Sequence, residues 1–250
     1  MISFNFFSKI LMFPAYYTVH YNYIFGWIHK KFIKDFYYKK FNFEIKNCNL
    51  PLPSYSSFIF KTYELNDRVL LERNLSKKNE CIIIGGGIGF IPAITNSITN
   101  NKVIVFEIND KIIPNLKKNL KKNCIKFKIY KGNLLLDKKD KSNFYYSNKN
   151  FLATSLYRKK GKKTKMKNFW YKNLKDILKY NTLIIDGEGI EKHYIENIKV
   201  LKKIKHIFFE FHNDIFTKKE KLLLFQKLEK NKFYLKDSFI NSYYFSKKKN

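Results

Sequence analysis

The stretch Cys81-Ile-Ile-Ile-Gly-Gly-Gly-Ile-Gly-Phe90 decides the fold class of this chain. Its β-branched run predicts a buried strand. The glycine cluster predicts a tight turn into a helix, because only glycine lets the backbone turn so sharply beside a ligand. A second apolar run, Val103-Ile-Val-Phe-Glu107, follows the predicted helix and ends in a carboxylate. This order is typical of a nucleotide-binding crossover, in which the terminal acid meets a ribose.

The glycine spacing indicates the class of nucleotide. The dinucleotide fingerprint G-x-G-x-x-G needs a small residue where this chain has Phe90 or Pro92. The glycines present are Gly85, Gly87 and Gly89, and G-x-G-x-G is the spacing of S-adenosylmethionine-dependent methyltransferases. A glycine-rich turn in another α/β protein is the alternative, since one fold carries many functions.

Composition limits the function classes. The chain has 250 residues, enough for one substantial core with a small appendage, and its 45% hydrophobic content excludes a disordered protein. The formal net charge is +30, yet only three of the 50 basic residues are arginine, the better phosphate ligand. Codon composition is therefore the preferred explanation of the charge. We expect weak contact with anionic surfaces through lysines and no specific nucleic-acid partner.

The predicted layout has two parts. Residues 1–55 form an aromatic-rich, helical N-terminal extension, and 56–250 form the S-adenosylmethionine-binding domain, with Pro51 and Pro53 marking the linker. A basic insertion at about 137–167 is predicted to be a solvated loop, with a clamp for an acidic or phosphorylated substrate as the alternative.

Location is predicted from the cysteines and the leader. Cys48, Cys81 and Cys124 are odd in number and lack metal-ligand spacing, which indicates a reducing, cytoplasmic environment. Cys81 and Cys124 stand beside apolar runs and are predicted to be core residues. The uncharged segment 10–29 is long enough to span a bilayer but is interrupted by Pro14 and Gly26. Peripheral contact with a membrane is the alternative.

Carboxylates follow two further predicted strands. The run 183–185 ends in Asp186-Gly-Glu-Gly-Ile-Glu191, and the run from Ile207 ends in Glu210 and His212. The carboxyl ends of parallel strands meet at the ligand crevice, so these groups predict a site. Helix capping is the alternative for Glu188 and Glu191. The predicted acidic rim comprises Glu107, Asp186, Glu188, Glu191, Glu210 and Asp214.

The order of elements predicts the architecture. Strands alternate with helices, which favours an α/β, mostly parallel sheet with helices on both faces. Segments 233–236 and 243–246 predict a closing antiparallel hairpin.

Together the motifs resemble FkbM-type S-adenosylmethionine-dependent methyltransferases. The resemblance runs from about Tyr63 to Asp214, and its most specific element is Ile185-Asp-Gly-Glu-Gly-Ile-Glu191. It implies a class I, Rossmann-like methyltransferase fold, S-adenosylmethionine as cofactor, and methylation of a hydroxyl on a sugar, glycan or other small molecule. Its other elements are Gly85-Gly-Gly-Ile-Gly-Phe90, Phe106-Glu-Ile-Asn-Asp110, Asn119-x-x-x-Asn123 and Glu210-x-His212.

The resemblance also implies roles for the cofactor residues. Gly85, Gly87 and Gly89 would pass under the methionine part, Glu107 would bind the ribose hydroxyls, and Asn133 would contact the adenine.

One position departs from the family pattern. Family members carry an acid two residues before the first loop glycine, where this chain has Ile83. Two consequences stay open: cofactor affinity is weak, or another acid such as Glu64 substitutes at the methionine end. Helix capping is the alternative role of Glu64.

Methyl transfer from a sulfonium needs an acceptor oxygen held in line and a base to remove its proton. The candidate catalytic groups are Asp186, Glu210 and His212, whose imidazole titrates near neutrality. No metal is predicted, although oxygen ligands on Asp186 and Glu210 leave a divalent cation open. An RNA methyltransferase and a catalytically silent scaffold remain the other hypotheses.

Overall fold

The computed structural model describes residues 23–46, 48, 50–136, 144–146, 162–164, 167–187 and 189–247. The first 22 residues, Glu188 and most of the predicted insertion lie outside the described residues. The helices are α1 (Tyr23–Phe32), α2 (Leu52–Ile59), α3 (Leu65–Asn74), α4 (Phe90–Thr99), α5 (Ile113–Lys122), α6 (Glu191–Glu196) and α7 (Lys218–Lys230). The strands are β1 (Asp35–Tyr38), β2 (Phe41–Glu44), β3 (Cys81–Ile84), β4 (Val103–Glu107), β5 (Phe127–Lys131), β6 (Asn133–Leu135), β7 (Phe144–Tyr146), β8 (Lys162–Thr164), β9 (Asn168–Trp170), β10 (Thr182–Ile185), β11 (His206–Glu210), β12 (Phe233–Phe239) and β13 (Ser242–Lys247).

The central sheet has seven strands in the order β12-β13-β11-β10-β3-β4-β5. Strand β13 runs antiparallel to β11 and β12, and the strands from β11 to β5 are mutually parallel. The chain proceeds outward from β3 in one direction and from β10 in the other, so the strand order reverses between them. A ligand crevice forms at such a switch point. The predicted class I arrangement, with its closing antiparallel hairpin, is confirmed.

Helices cover both faces of the sheet, as predicted, because successive residues of a strand point to opposite sides. Ile83 packs in the core on the face that carries α3, α4 and α5. Ile82 and Ile84 pack in the core on the face that carries α6 and α7. All three side chains are at least 96% buried, so β3 lies in the centre of the molecule.

Strands β1 and β2 form an antiparallel hairpin within the segment that was predicted to be a helical extension. The aromatic side chains Phe36 and Phe43 are buried and lie 5.5 Å from the ring of Phe90 at the start of α4. The hairpin therefore shares a core with the central sheet. Its turn consists of Lys39, with φ of 50°, and Lys40. The Asn-Gly or Asp-Gly pair that signals a hairpin is missing from this turn.

Two asparagines, Asn119 of α5 and Asn123 at the C-cap of this helix, hold the edge of the hairpin. The side-chain amide of Asn119 accepts from the N–H of Glu44 at 2.8 Å and donates to its carbonyl at 3.1 Å. Asn123 makes the same pair of bonds to Asn42, each at 2.8 Å. Residues four apart lie on one helix face, so the two amides act as a substitute strand for β2. The Asn119-x-x-x-Asn123 element thus has a structural role in this chain.

Other local predictions differ from the structure. Pro51 is the N-cap of α2, a helix with buried Tyr55 and Phe58, where the prolines predicted a linker. Proline suits a helix start because the first N–H groups need no partner within the helix. Cys124, predicted to be a core residue, is exposed and has φ of 54° in the turn after α5. Strands β7 and β8 pair antiparallel inside the segment predicted to be a loop.

Within the part of the chain that the structure describes, no helix has the length and apolar character needed to cross a bilayer.

Candidate functional site

The glycine loop between β3 and α4 adopts backbone angles that exclude side chains. Gly85, Gly87 and Gly89 have φ of 89°, 49° and 95°, in the region that favours glycine. A Cβ on Gly85 would lie 1.9 Å from the carbonyl oxygen of Asp186, and one on Gly89 would lie 3.3 Å from Leu120. Close approach of the backbone therefore requires glycine at position 85, and the positive φ favours glycine at position 89.

Glu107, the last residue of β4, holds this loop. Its Oε2 accepts from the N–H of Gly86 at 2.8 Å and from that of Gly87 at 3.2 Å, and its Oε1 accepts from the N–H of Asn109 at 2.8 Å. Burial raises the pKa of the Glu107 carboxyl, and the amide donors oppose the rise. A carboxylate offers about four lone-pair positions. The backbone N–H of Ile108 also stabilises the Glu107 carboxylate, so backbone donors match all of these positions.

A small open cleft lies in front of the loop. Two carboxylates line it, Glu64 from the segment before α3 and Asp186 from the end of β10. Its other lining residues are Tyr63, Gly85, Gly86, Gly87, Ile88, Phe90 and Ile91.

Glu64 occupies the N-cap position of α3 in the left-handed region, with φ of 49°, and its side chain makes no capping hydrogen bond. The capping alternative is therefore wrong for the side chain. Burial raises the pKa of Glu64 well above its ordinary value, and the charges of Asp186, Asp67 and Glu210 add to the rise. A carboxyl in such surroundings favours a cationic partner.

The structure brings the three candidate catalytic residues together. Asp186, Glu210 and His212 each offer a ligand atom within 4.8 Å of the other two. They meet because β10 and β11 are parallel neighbours, with Ile185 opposite Phe209, so both strands end at one edge. Nε2 of His212 lies 3.7 Å from Oδ1 of Asp186.

The Glu210 carboxyl is held from the side of α3. Its Oε1 accepts from the side-chain amide of Asn66 at 3.0 Å. Burial raises the pKa of Glu210, His212 opposes the rise, and Asp186 adds to it. The charges of His212 and Asp186 therefore both act on the Glu210 carboxyl within one site.

Asp67, one turn into α3, belongs to the same site and was missed by the sequence prediction. It is only 4% exposed, and its Oδ1 accepts from the hydroxyl of Ser242 at 2.7 Å. Burial raises the pKa of Asp67 well above its ordinary value, and the charges of Glu210 and Asp186 add to the rise. The three-residue spacing from Glu64 was the available signal, since residues three apart share a helix face. No local pattern indicates Ser242.

Glu191 is the first residue of α6 and is 0% exposed. Its Oε1 accepts from the N–H of Gly187 at 3.2 Å. Burial raises the pKa of Glu191 to about 7, His212 opposes the rise, and Asp186 adds to it. The side chain therefore turns back toward the acidic rim.

Two other predicted residues, Asp214 and Asn133, are not among the described residues that form these acidic groups. Asp214 is exposed in the loop after β11. Asn133 is buried on β6, which pairs with β9, and its N–H donates to the carbonyl of Lys167 at 2.9 Å. Asn133 is not among the described residues that line the cleft. Its contact with an adenine stays a prediction.

No known family model matches the chain, and no curated protein matches it. Solved structures resemble it in fold. One is a precorrin-6y C5,15-methyltransferase from Geobacter metallireducens, with 14% identity, a TM-score of 0.44, and coverage of 73% of this chain and 86% of that chain. Another is a methyltransferase from Pyrococcus furiosus, with 13% identity, a TM-score of 0.46, and coverage of 72% and 80%. A third is M. jannaschii TYW2 in complex with AdoMet, with 12% identity, a TM-score of 0.41, and coverage of 84% and 82%. At this low identity the likeness concerns the fold alone.

Proposed function

We propose that this protein is an S-adenosylmethionine-dependent methyltransferase. The observation that carries the proposal is that backbone amides of the glycine loop are already hydrogen-bonded to a carboxylate of the chain. Its Gly86 and Gly87 amides, which a dinucleotide pyrophosphate needs, already donate to Glu107. The cleft in front of them is lined by the carboxylates of Glu64 and Asp186. Such a cleft repels a phosphate and attracts a cation, and S-adenosylmethionine carries both a sulfonium and an ammonium group.

The lining of the cleft suits the methionine part of this cofactor, because it includes the carboxyl groups of Glu64 and Asp186. The family pattern has an acid at the position of Ile83, but the Ile83 side chain is apolar and fully buried inside the sheet. In this proposal Glu64 supplies the acid instead. We assign the ribose hydroxyls to Glu107, which ends β4 beside the glycine loop.

The methyl acceptor in this proposal is a hydroxyl of a sugar, glycan or other small molecule. His212, Asp186 and Glu210 stand beside the cleft, where the acceptor oxygen must lie in line with the methyl group. One of them removes the hydroxyl proton, and the raised pKa of Glu210 suits a general base. An RNA acceptor is disfavoured because the carboxylates around the cleft repel phosphates. Membership of the FkbM type rests on the sequence motifs alone.

A binding experiment in EDTA tests the cofactor. Calorimetric titration should show binding of S-adenosylmethionine and S-adenosylhomocysteine, and none of NAD. Glu64→Gln should weaken both by about 10-fold or more, since hydrogen bonds to charged groups contribute roughly 1.5–3 kcal/mol. Glu72→Gln, the same change at an exposed position of α3, is the matched control and should bind normally.

Binding of NAD without binding of S-adenosylhomocysteine would overturn the proposal. If the Glu64→Gln variant and the wild type bind the cofactor with equal affinity, the methionine part does not bind beside Glu64.

A further inference from the structure

Three carboxylates from two distant parts of the chain converge beside the cleft. Glu64, Asp67 and Asp186 each offer an oxygen within 4.8 Å of the other two. The first two face the site from the start of α3, and the third ends β10. Like charges at such distances repel strongly away from water, so the arrangement needs a compensating cation or bound protons.

Among the described residues, the imidazole of His212 is the one side chain that can carry positive charge and forms an ion pair with this group, 3.7 Å from Asp186. Of the chain's 50 lysines and arginines, none within the described ranges forms an ion pair with Glu64, Asp67 or Asp186. Elsewhere in the described structure, surface lysines form ion pairs with carboxylates such as Glu44 and Glu72.

Asp67 gives an independent indication of a ligand. The residue is 4% exposed, and its Oδ1 is used by Ser242. Its Oδ2 is fully enclosed and has no hydrogen-bond donor among the described residues. A buried carboxylate oxygen without a donor is costly. Capping does not explain it, since α3 begins with no side-chain cap at all.

We infer that Glu64, Asp67 and Asp186 form a binding site for a hard divalent cation, Mg²⁺ or Mn²⁺. The donor set consists of oxygens, which these ions prefer. The second group of Glu210 and His212 adjoins the ion through the shared Asp186. Both ions use six ligands, so three protein oxygens leave positions open. The role of the ion depends on the proposed function: an acceptor hydroxyl would fill one of these open positions and would be held near the candidate bases.

The test uses the full chain without cofactor, stripped with EDTA and then titrated with MnCl₂ by calorimetry and electron paramagnetic resonance. We expect one saturable site. At a Mn²⁺ concentration 100 times Kd, the midpoint of thermal unfolding should rise by roughly 5–10 °C. Asp67→Asn should weaken Mn²⁺ binding by about 100-fold or more, because it removes a charged ligand. Asp110→Asn, the same change at an exposed acid, should bind like the wild type.

Folding of the Asp67→Asn variant can be checked separately. An asparagine oxygen still accepts from Ser242, and one like charge is removed, so the metal-free variant should unfold no earlier than the wild type. If it does not fold, Glu64→Gln replaces it, with the same expected loss of Mn²⁺ binding.

Two results would overturn the inference. One is the lack of saturable Mn²⁺ binding to the wild type at millimolar concentration, which would identify the group as a protonated cluster. The other is unchanged binding in a folded Asp67→Asn variant. Both are distinct from failure of the proposed function, which is measured as cofactor binding in EDTA.

Discussion

The Glu191→Gln substitution should change how the stability of the protein depends on pH. The Glu191 side chain is 0% exposed, and burial raises its pKa from 4.5 to about 7. Between these two values the native carboxyl keeps a proton that the unfolded chain has lost. The native state then binds more protons, so stability falls as pH rises.

The size of the effect follows from the two pKa values. Each pH unit between them lowers the unfolding free energy by about 1.4 kcal/mol. From pH 4 to pH 8 Glu191 therefore costs the wild type about 3 kcal/mol of stability. Glutamine does not titrate, and its oxygen can still accept from Gly187. Any cost of burying the new amide group is the same at every pH and cancels from the comparison.

Urea unfolding followed by circular dichroism, in EDTA at half-unit steps from pH 4 to pH 8, measures the difference. Relative to the wild type, Glu191→Gln should gain about 3 kcal/mol across this range. Glu196→Gln is the matched control, since Glu196 is exposed on the same helix. Its curve should follow the wild type. Parallel curves for Glu191→Gln and the wild type would refute the reasoning, because the buried carboxyl would then titrate alike in both states.

Four further outcomes are expected. Asp186→Asn should fold normally and lower turnover by roughly 100-fold or more. His212→Asn should have the same effect if the imidazole is the base. If both variants turn over an acceptor found by screening at the wild-type rate, neither residue takes part in catalysis. Phe90→Ala should cost about 3–5 kcal/mol in urea unfolding, because the ring is 1% exposed among four aromatic rings; a loss below 1 kcal/mol would contradict this packing. Asn119→Ala should cost roughly 2–4 kcal/mol, since it leaves backbone groups of β2 without partners, and a stable variant would show that water replaces the amide. Binding to RNA should be weak and fall steeply with salt in filter assays; tight, sequence-selective binding at high salt would restore the RNA hypothesis.

Local patterns in the sequence determined the central crossover of this fold. These patterns are the β-branched run at β3, the glycines after it and the acid at the end of β4. Each pattern spans only a few residues, so the strand and the turn can be predicted from the sequence alone. Asp186 and Glu210 were placed in one site because strand ends of a parallel sheet meet at one edge. The closing hairpin followed from its two apolar runs.

Only the tertiary structure decided how the site is completed. The bond between Asp67 and Ser242 joins residues 175 positions apart, and the one between Asn66 and Glu210 joins residues 144 apart. Contacts of this kind depend on how helices pack on the sheet, which no local pattern encodes. The same holds for the β1–β2 hairpin, whose lysine turn lacks a hairpin signal and whose stability comes from packing on Phe90 and from the amides of α5. The sequence by itself thus determined the elements and the edge at which the site forms, whereas long-range packing decided which carboxylates meet there and what surrounds them.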